Sequence, residues 1–418
     1  MSEMSEISEM KIFQNRRVLL GISGGIAAYK IPNLVRLLRK ADVNLEIILT
    51  RAAEKFVTPL ALSTLSGKQV WRDDDFLADD SGFKIPHVNL SRDCEIIVIA
   101  PCSANTIAKI AHGYADDLLS AAVLAKNDNS HVMIFPAMNE NMFENPATRE
   151  NLRILSDRGF VIIDPEFGEL ACGVSGKGRM PEPGEIFHEI CRLLNSGHNH
   201  KLLGKRVLVT AGATQEFLDP VRFISNPSSG KMGVAFGRAA WLMGADVKII
   251  LGAANHDLDL YGLKVQRVVS ALDMLEAVTC ELENYDYIVK AAAVGDYRAR
   301  EISERKIKRQ NREVMNLELI QNPDIAAEIG KRKRKNQILI GFAAETDDLR
   351  KNAREKLLRK NLDYILANDV SAKDSGFAVD TNTLRLIAKE PTTPERIFSG
   401  FKDEISLEIW DYLTEIAG

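Results

Sequence analysis

Two turns rich in glycine and hydroxyl residues could hold a phosphate group. SGGIAAYK covers residues 23–30 and follows the apolar run VLLGI. APCSANTIAKIA begins at Ala100, at the end of the apolar run EIIVIAP. Small residues let backbone N–H groups approach an anion at the positive end of a helix. The same residues also suit a tight strand-to-helix turn, with Ser103 as a helix cap. GISGG lacks the G-x-G-x-x-G spacing, which argues against NAD as the ligand here.

Three polar side chains could act on a substrate bound beside these turns. His87 stands in HVNL, Asn139 in PAMNENMF and Cys172 in ACGVSGKGRMPEP. A histidine titrates near neutrality, an asparagine amide can donate and accept, and a thiol can deliver a proton. Taken singly, His87 could be a surface or capping residue and Cys172 a small buried side chain. Only their combination with the two turns favours a catalytic role.

The second half of the chain carries a long polar connection and scattered basic residues. TAGATQEFLDPVRFISNPSSGKMG covers 210–233, and a loop of this kind is usually functional. SSGKMG is not a Walker P-loop, because there is no Gly five residues before Gly230 and no Ser or Thr after Lys231. Basic helix residues are usually solvated, and KRKRK at 331–335 is assigned no role. Further polar runs are KAAAVGDYR, KIKR, NPDI, GFAAET and EKLLRKNLD.

Composition favours a cytoplasmic two-domain enzyme. The chain has 418 residues, 45% of them hydrophobic, a net charge of −4 and a pI near 6.1, so no overall basic field predicts nucleic-acid or membrane binding. Five cysteines form no CxxC pair, which argues against zinc and disulfides. No apolar run approaches a membrane span, and the acidic start predicts a disordered leader over residues 1–16.

The elements that would position these residues alternate between strand and helix. In the first half of the chain, helical patterns separate five strand-like runs: VLLGI, LEIILT, EIIVIAP, HVMIF and FVIID. The second half repeats this arrangement with RVLVTAG, DVKIILG, DYIVKAA, ILIGFAA and DYILAND. We therefore expect two doubly wound α/β domains, with three layers each, over 17–194 and 205–418. The polar segment 195–204 is the expected linker, and TLRLIAK is expected to pair at a sheet edge.

Residues 17 to about 190 closely resemble the phosphopantothenoylcysteine decarboxylase family of flavoproteins, through the HVNL, PAMNENM and ACG…GRMPEP segments. The resemblance implies a flavodoxin-like fold and FMN, which oxidises the substrate's cysteine thiol so that the adjacent carboxylate can leave as CO2. It assigns His87 to oxidation and decarboxylation, Asn139 to binding the substrate carboxylate or amide, and Cys172 to proton donation. Val174 departs from the family, which usually has an acidic residue there.

The same resemblance implies the residues that contact FMN. They are expected to follow the ends of successive strands, where doubly wound sheets bind ligands. They are Ser23, Gly24, Gly25, Ile26, Thr50, Ala52, Ser103, Ala104, Asn105, Thr106 and Ala137.

Residues 203 to about 390 resemble phosphopantothenate–cysteine ligase in its CTP-using bacterial form, which is fused behind the decarboxylase. Such a ligase activates 4′-phosphopantothenate as an acyl-cytidylate with release of pyrophosphate, and the amine of L-cysteine then displaces CMP. Mg2+ is expected to be held largely by the CTP phosphates, with unknown protein ligands. The resemblance assigns Asn226 to the acyl-cytidylate and Lys306 to both catalysis and CTP. The further CTP positions are Lys290, Ala291, Ala292, Asp296, Pro323, Asp324, Ile325, Ala326, Phe342, Lys356 and Lys360.

Two other functions compete with this one. An NAD-linked dehydrogenase has only the architecture in its favour, and a flavin-binding regulatory subunit would need neither His87 nor a complete ligase half. In the family, the flavin domain forms trimers and the ligase domain dimers, so a homo-oligomer up to a dodecamer is expected.

Overall fold

The computed structural model describes residues 15–76, 85–92, 94–169, 173, 175–199, 201–254, 258–308, 315–345, 348–369 and 380–417. Contacts divide the chain into an N-terminal unit that ends at Leu194 and a C-terminal unit that begins at Asn195. A helix over Pro183–Asn199 runs through this boundary, so the predicted linker 195–204 begins inside a helix. Most of the predicted leader, Cys172 and Val174 lie outside the described residues.

The N-terminal unit alternates strands and helices along the sequence. Its elements are β1 (Arg17–Ile22), α1 (Ile31–Lys40), β2 (Asn44–Leu49), α2 (Pro59–Ser66), β3 (Val70–Arg72), α3 (Pro86–Arg92), β4 (Ile96–Cys102), α4 (Ala104–His112), α5 (Leu118–Leu124), β5 (His131–Pro136), α6 (Glu140–Phe143), α7 (Pro146–Asp157), β6 (Val161–Ile162), β7 (Glu166–Glu169), β8 (Ser175–Arg179) and α8 (Pro183–Asn199).

The first six strands form one parallel sheet in the order β3-β2-β1-β4-β5-β6. The order reverses between β1 and β4, as in a doubly wound sheet, which confirms the predicted architecture. This is the six-stranded Rossmann order; it differs from the five-stranded 2-1-3-4-5 order of flavodoxin. The central strands are buried from Val18 to Ile22 and from Ile96 to Cys102, which explains their continuous apolar runs.

The C-terminal unit repeats this alternation and adds antiparallel strands. Its elements are β9 (Arg206–Ala211), β10 (Gln215–Phe217), β11 (Phe223–Ser225), α9 (Lys231–Leu242), β12 (Asp246–Leu251), β13 (Lys264–Arg267), α10 (Ala271–Glu281), β14 (Tyr287–Lys290), β15 (Tyr297–Ala299), β16 (Leu319–Gln321), α11 (Ile325–Arg332), β17 (Ile338–Glu345), α12 (Leu349–Arg359), β18 (Tyr364–Asp369), β19 (Thr381–Ala388), β20 (Arg396–Phe401) and α13 (Lys402–Ala417).

Its main sheet has the order β13-β12-β9-β14-β17-β18-β19-β20. The pairs from β13 to β18 are parallel, and β19 and β20 join antiparallel. The predicted TLRLIAK strand is β19, and it lies between β18 and β20 rather than at the edge. The direction of winding reverses between β9 and β14, which is where such a sheet binds ligands.

Three short antiparallel strand pairs lie outside the main sheets of the described residues, one in the N-terminal unit and two in the C-terminal unit. β7 and β8 pair in the N-terminal unit, while β10 pairs with β11 and β15 with β16 in the C-terminal unit. None of the described helices is long and apolar enough to span a membrane.

Candidate active sites

In the N-terminal unit, Ser23 joins the two central strands at the point where the sheet reverses. Its backbone N–H and its hydroxyl both donate to the Pro101 carbonyl, at 3.2 and 2.8 Å. The Ser103 N–H donates back to the Ser23 hydroxyl at 2.8 Å. Ser103 then caps α4 by accepting from the Thr106 N–H at 3.3 Å. The two predicted phosphate turns are therefore hydrogen-bonded to each other, and the capping role proposed for Ser103 also exists.

The turn after β2 packs against the first of these turns. A Cβ built on Gly24 would lie 2.5 Å from the Ala52 Cβ, so only glycine fits there, whereas a Cβ on Gly25 would meet nothing within 4 Å. Thr50 follows β2, and its hydroxyl oxygen is buried with no hydrogen-bond partner among the described residues. A buried hydroxyl without a partner is costly, so Thr50 is suited to a bound group that supplies one.

His87 lies in the first turn of α3, with its ring partly buried. Its Nδ1 is buried and accepts or donates no hydrogen bond among the described residues. Phe76 meets the imidazole edge to face, with ring centroids 5.4 Å apart. The start of α3 belongs to the edge of the sheet where the strands end, because helices of a doubly wound fold begin there. An imidazole held by packing and free at one nitrogen can exchange a proton with a bound substrate.

Asn139 is exposed and caps α6, accepting from the Asn141 N–H at 2.9 Å. The β8 strand lies directly on this turn, since the Met138 N–H donates to the Gly178 carbonyl at 3.1 Å. Glu140 accepts from the Lys177 N–H at 3.0 Å. β8 is thereby held against the loop that carries Asn139, while Cys172 lies outside the described residues.

A buried lysine ties the end of β8 to the first turn. Lys30 ends the 3-10 turn after Gly25, and its ammonium donates to the Met180 carbonyl at 3.1 Å and to Glu182 at 2.7 Å. Arg179 pairs with the same carboxylate. Desolvation would raise the pKa of Glu182, but the two cations outweigh it and lower that pKa.

All the expected FMN residues lie where the strands end. Ser23 to Ile26 follow β1, Thr50 and Ala52 follow β2, Ser103 to Thr106 follow β4, and Ala137 follows β5. The unpartnered Thr50 oxygen, the open space at Gly25 and the N-terminus of α4 fit a phosphate-bearing ligand.

The C-terminal unit contains a cavity of about 480 Å³ at the point where its own sheet reverses. It lies against the end of β14 and the N-termini of α9 and α11. Of the expected CTP positions, the structure brings together Lys290, Ala291, Ala292, Asp296, Pro323, Asp324, Ile325, Ala326, Phe342, Lys356 and Lys360, and Asn226 also lines the cavity.

Two turns of the cavity wall are hydrogen-bonded to each other. Asn322 is buried, and its side chain donates to the Gly295 carbonyl at 2.8 Å while its backbone N–H donates to the Asp296 carbonyl at 2.8 Å. The Asn226 side chain donates to the Val294 carbonyl at 3.2 Å. Three polar runs that are far apart in sequence thus form one wall.

Lys360 reaches Asp324 across the cavity at 3.0 Å. It is the C-cap residue of α12, and its backbone N–H donates to the Lys356 carbonyl at 3.0 Å. Gly330 permits this position, because a Cβ there would lie 2.0 Å from the Lys360 carbonyl oxygen. Desolvation would raise the pKa of Asp324, but the hydrogen bond and charge of Lys360 lower it, so this carboxylate is ionised.

Lys290 stands at the end of β14 and donates to the Ala292 carbonyl at 2.7 Å. Desolvation, and then the nearby charge of Lys360, lower the pKa of Lys290 to about 7. The cavity therefore contains a lysine whose charge is incomplete at neutral pH. An incoming polyanion would favour its protonated form.

Sequence reasoning missed several residues of this cavity. SSGKMG was rejected as a P-loop, yet 228–233 form the turn and first residues of α9 in the cavity wall. Gly230 there has φ +81°, and a Cβ on Gly233 would lie 2.6 Å from the Ala211 Cβ, so both glycines are required. Asn368 also lines the cavity, and its side-chain oxygen is buried without a partner among the described residues. Arg359, Asn382 and Lys402 complete the polar lining.

The structure does not place Lys306 among the residues that line the cavity. Lys306 is exposed in a segment that is hydrogen-bonded to the loop before β11. Within the described parts of the chain, no group of three or more His, Cys, Asp or Glu side chains could hold a metal ion.

Comparison with known proteins assigns both halves. Residues 6–195 match the family model described as Flavoprotein, and residues 202–416 match the DNA/pantothenate metabolism flavoprotein C-terminal domain. The coenzyme A biosynthesis bifunctional protein CoaBC of Bacillus subtilis is 41% identical over 97% of this chain and 98% of its own length. The CoaBC of Vibrio cholerae is 41% identical over 91% and 94%, respectively.

Solved structures match each half separately. The crystal structure of the C-terminal domain of a CoaBC is 35% identical, with a TM-score of 0.43, and covers 52% of this chain and 98% of its own. A PPC decarboxylase mutant complexed with pantothenoylaminoethenethiol is 33% identical, with a TM-score of 0.39, and covers 42% and 97%. Because the identity to full-length relatives extends over almost the entire chain, this protein belongs to the CoaBC family of bifunctional coenzyme A biosynthesis proteins.

Proposed function

We propose that the C-terminal unit joins L-cysteine to 4′-phosphopantothenate with CTP, and that the N-terminal unit decarboxylates the product with FMN to give 4′-phosphopantetheine. The observation that carries this proposal is that most of the expected FMN and CTP residues lie at the two sheet reversals. The FMN set includes Thr50, whose hydroxyl has no partner among the described residues, and the CTP set lines a cavity rich in cations, although Lys306 lies outside that lining and Cys172 outside the described residues.

The ligase step brings two anions together, so the cavity must offset their repulsion. Six of its lining residues are lysine or arginine, against two aspartates. They are Lys231, Lys290, Lys356, Arg359, Lys360 and Lys402. Preorganised cations of this kind stabilise the charge that develops on transferring phosphoryl groups. Attack of the substrate carboxylate on the α-phosphorus then releases pyrophosphate, and the amine of cysteine displaces CMP.

The side-chain oxygen of Asn368, which has no partner in the described part of the chain, and the amide of Asn226 offer uncharged recognition inside the same cavity. In this proposal Mg2+ is carried largely by the phosphates of CTP.

The decarboxylation step uses the edge of the N-terminal sheet. When bound, FMN supplies two-electron oxidation and reduction at the substrate's cysteine sulfur. The chain's own residues orient the substrate and move protons. Asn139, fixed as the cap of α6, recognises the substrate amide or carboxylate, and His87 accepts a proton at its unpartnered ring nitrogen. Cys172 is proposed as the proton donor in the closing reduction.

The proposal also includes the assembly of the protein and its location in the cell. A cytoplasmic homo-oligomer fits, with trimers of the flavin unit and dimers of the ligase unit combining into a dodecamer. Shared symmetry would keep both activities in one particle.

A single assay tests the proposed function. The purified protein is incubated with phosphopantothenate, cysteine, CTP and Mg2+, and mass spectrometry follows phosphopantothenoylcysteine and phosphopantetheine. Formation of phosphopantetheine establishes both steps. Accumulation of the cysteine adduct would contradict the decarboxylase half and direct attention to Val174, while no CTP-dependent product would contradict the ligase half.

A regulatory flavoprotein without turnover is the competing function. It would bind FMN but leave all substrates unchanged, so turnover in the same assay excludes it.

A further inference from the structure

Asp219 is a fully buried carboxylate at the tip of the loop between β10 and β11. One of its oxygens accepts from the Val221 and Arg222 N–H groups, each at 2.8 Å. The other accepts from the Arg222 guanidinium at 2.9 Å and from the Ile307 N–H at 3.1 Å. A buried carboxylate with four donors is a strongly determined local structure, because removing any partner leaves a desolvated charge less compensated.

The contact with Ile307 joins segments that are 88 residues apart. Arg222 reinforces it by donating to the Ile307 carbonyl at 2.9 Å, so both polar groups of that peptide residue are held. The Ser303 N–H donates to the Leu218 carbonyl at 3.0 Å on the same side. Ile307 immediately follows Lys306, whose side chain is exposed.

Both joined segments start and end at the rim of the nucleotide cavity. One leaves after Thr214, which accepts from the cavity residue Gly295 at 2.9 Å, and returns at Asn226. The other leaves at Asp296 and returns at Gln321, both of which line the cavity, through the β15–β16 pair. Asp219 of the first excursion accepts from Ile307 of the second, so the place of Lys306 relative to the rim depends on this contact.

We propose that Asp219 is a positioning residue for Lys306: its carboxylate fixes the Ile307 peptide and so sets the point from which Lys306 meets the triphosphate of the nucleotide. This inference rests on the proposed ligase function and on the assignment of Lys306 to CTP. The contacts to Val221 and Arg222 would alone suffice to shape the β10–β11 turn. The additional hydrogen bond to the Ile307 N–H does not belong to that turn, and it fixes the backbone next to Lys306.

A double-mutant cycle in the full-length protein tests the proposal. Asp219→Asn keeps the size and one acceptor oxygen but removes the charge that pairs with Arg222, and Lys306→Gln removes the cation. Ligase kcat and KM for CTP are measured for the wild type, both single variants and the pair, with decarboxylation of supplied phosphopantothenoylcysteine as the internal control. Asp246→Asn is the matched control, because that exposed carboxylate in the same unit pairs only at the surface with Lys264.

We expect Asp219→Asn to lower ligase kcat/KM for CTP by about tenfold and to have no further effect when Lys306 is already Gln. Trypsin should also cleave after Lys306 faster in Asp219→Asn than in the wild type, while Asp246→Asn changes neither quantity. Equal losses in the two backgrounds, or unchanged ligase activity in folded Asp219→Asn, would overturn the proposal.

Folding is checked by near-ultraviolet circular dichroism and thermal unfolding. If Asp219→Asn does not fold, the same cycle is run with Ile307→Pro, which removes the N–H donor and leaves Asp219 intact. The proposed function fails separately, through a wild type that forms no CTP-dependent product. Wild-type activity in Lys306→Gln would reject the assignment of Lys306 and this inference with it.

Discussion

Gly178 on β8 lies against Met138, the residue before Asn139, so closely that a Cβ built on Gly178 would stand 2.1 Å from the Met138 carbonyl oxygen. No side chain fits that gap without moving backbone. We predict that Gly178→Ala displaces the Asn139 turn and lowers decarboxylation about 100-fold, the cost of a displacement near 1 Å at a reacting site.

Rates of CO2 release from phosphopantothenoylcysteine measure this effect. Ligase activity should remain, since the C-terminal cavity uses no part of β8. Ser175→Ala is the control, because that residue is exposed on the same strand. Equal losses in the two variants would show that the close approach of Gly178 has no special importance.

The Thr50 hydroxyl is expected to affect the stability of the flavin-free protein and its affinity for FMN in opposite directions. Thr50→Val removes an oxygen that is buried without a partner among the described residues, so the flavin-free protein should be as stable as the wild type or more stable. Flavin affinity should fall about fivefold, the value of one hydrogen bond. Thr50→Ser keeps the hydroxyl and should retain affinity. Titration of the flavin-free protein with FMN, followed by fluorescence, would refute this if Val and Ser variants bound equally.

His87 is expected to act on the proton rather than to hold the cofactor. His87→Asn should leave FMN bound and ligase activity intact while lowering CO2 release at least about 100-fold, as expected for loss of a general base. The flavin absorbance spectrum and the rate of decarboxylation are measured on the same sample. Persistent decarboxylation would reject the role of His87; a colourless protein would instead assign it to the cofactor site.

Lys360 and Lys331 compare a cavity lysine with a surface lysine. Lys360 pairs with Asp324 in the cavity wall, whereas Lys331 pairs with Glu328 on the exposed side of α11. Lys360→Gln should raise KM for CTP about tenfold, because it removes a charge-assisted contact and leaves Asp324 facing the anion. Lys331→Gln should leave KM unchanged, since exposed pairs contribute little. A similar KM in both variants would remove Lys360 from the CTP site.

Lys290 predicts proton uptake when CTP binds. Its pKa is lowered to about 7 in the ligand-free cavity, by desolvation and then by Lys360, and a bound polyanion raises it again. At pH 8 the amine is mostly neutral before binding and charged afterwards, so binding should take up close to one proton. Calorimetry of CTP binding in two buffers of different ionisation enthalpy measures this number. Lys290→Arg, which stays charged, should abolish the uptake, and unchanged uptake in that variant would contradict the prediction.

Lys290 also predicts the direction in which the free energy of unfolding changes with pH. Because the unfolded chain binds a proton at Lys290 up to about pH 10.5 and the folded chain only up to about pH 7, unfolding takes up a proton between these values. This residue's contribution to the free energy of unfolding therefore rises with pH across that window. Thermal unfolding of the wild type and of Lys290→Met without nucleotide, at pH 7 and pH 9, measures the difference.

The sequence by itself determined the α/β class and most central strands. Buried parallel strands are continuously apolar, so the strands that contain VLLGI, EIIVIAP and DYIVKAA can be recognised directly from the sequence. The resemblance to a family supplied His87, Asn139 and the expected FMN contacts, and the strand pattern agreed with it by placing the FMN contacts after strand ends.

The tertiary structure alone decided which distant residues meet. The short β3 and the hairpin strands β7, β10 and β15 are too brief to show a period, so no pattern predicted them. SSGKMG failed as a motif and yet lines the cavity, since the sheet reversal, not a local fingerprint, brings the N-terminus of α9 there. The bond from Asp219 to Ile307 and the effect of Lys360 on Lys290 join segments far apart in sequence. Such contacts depend on how strands are ordered in the sheet, and local residue patterns carry no record of that order.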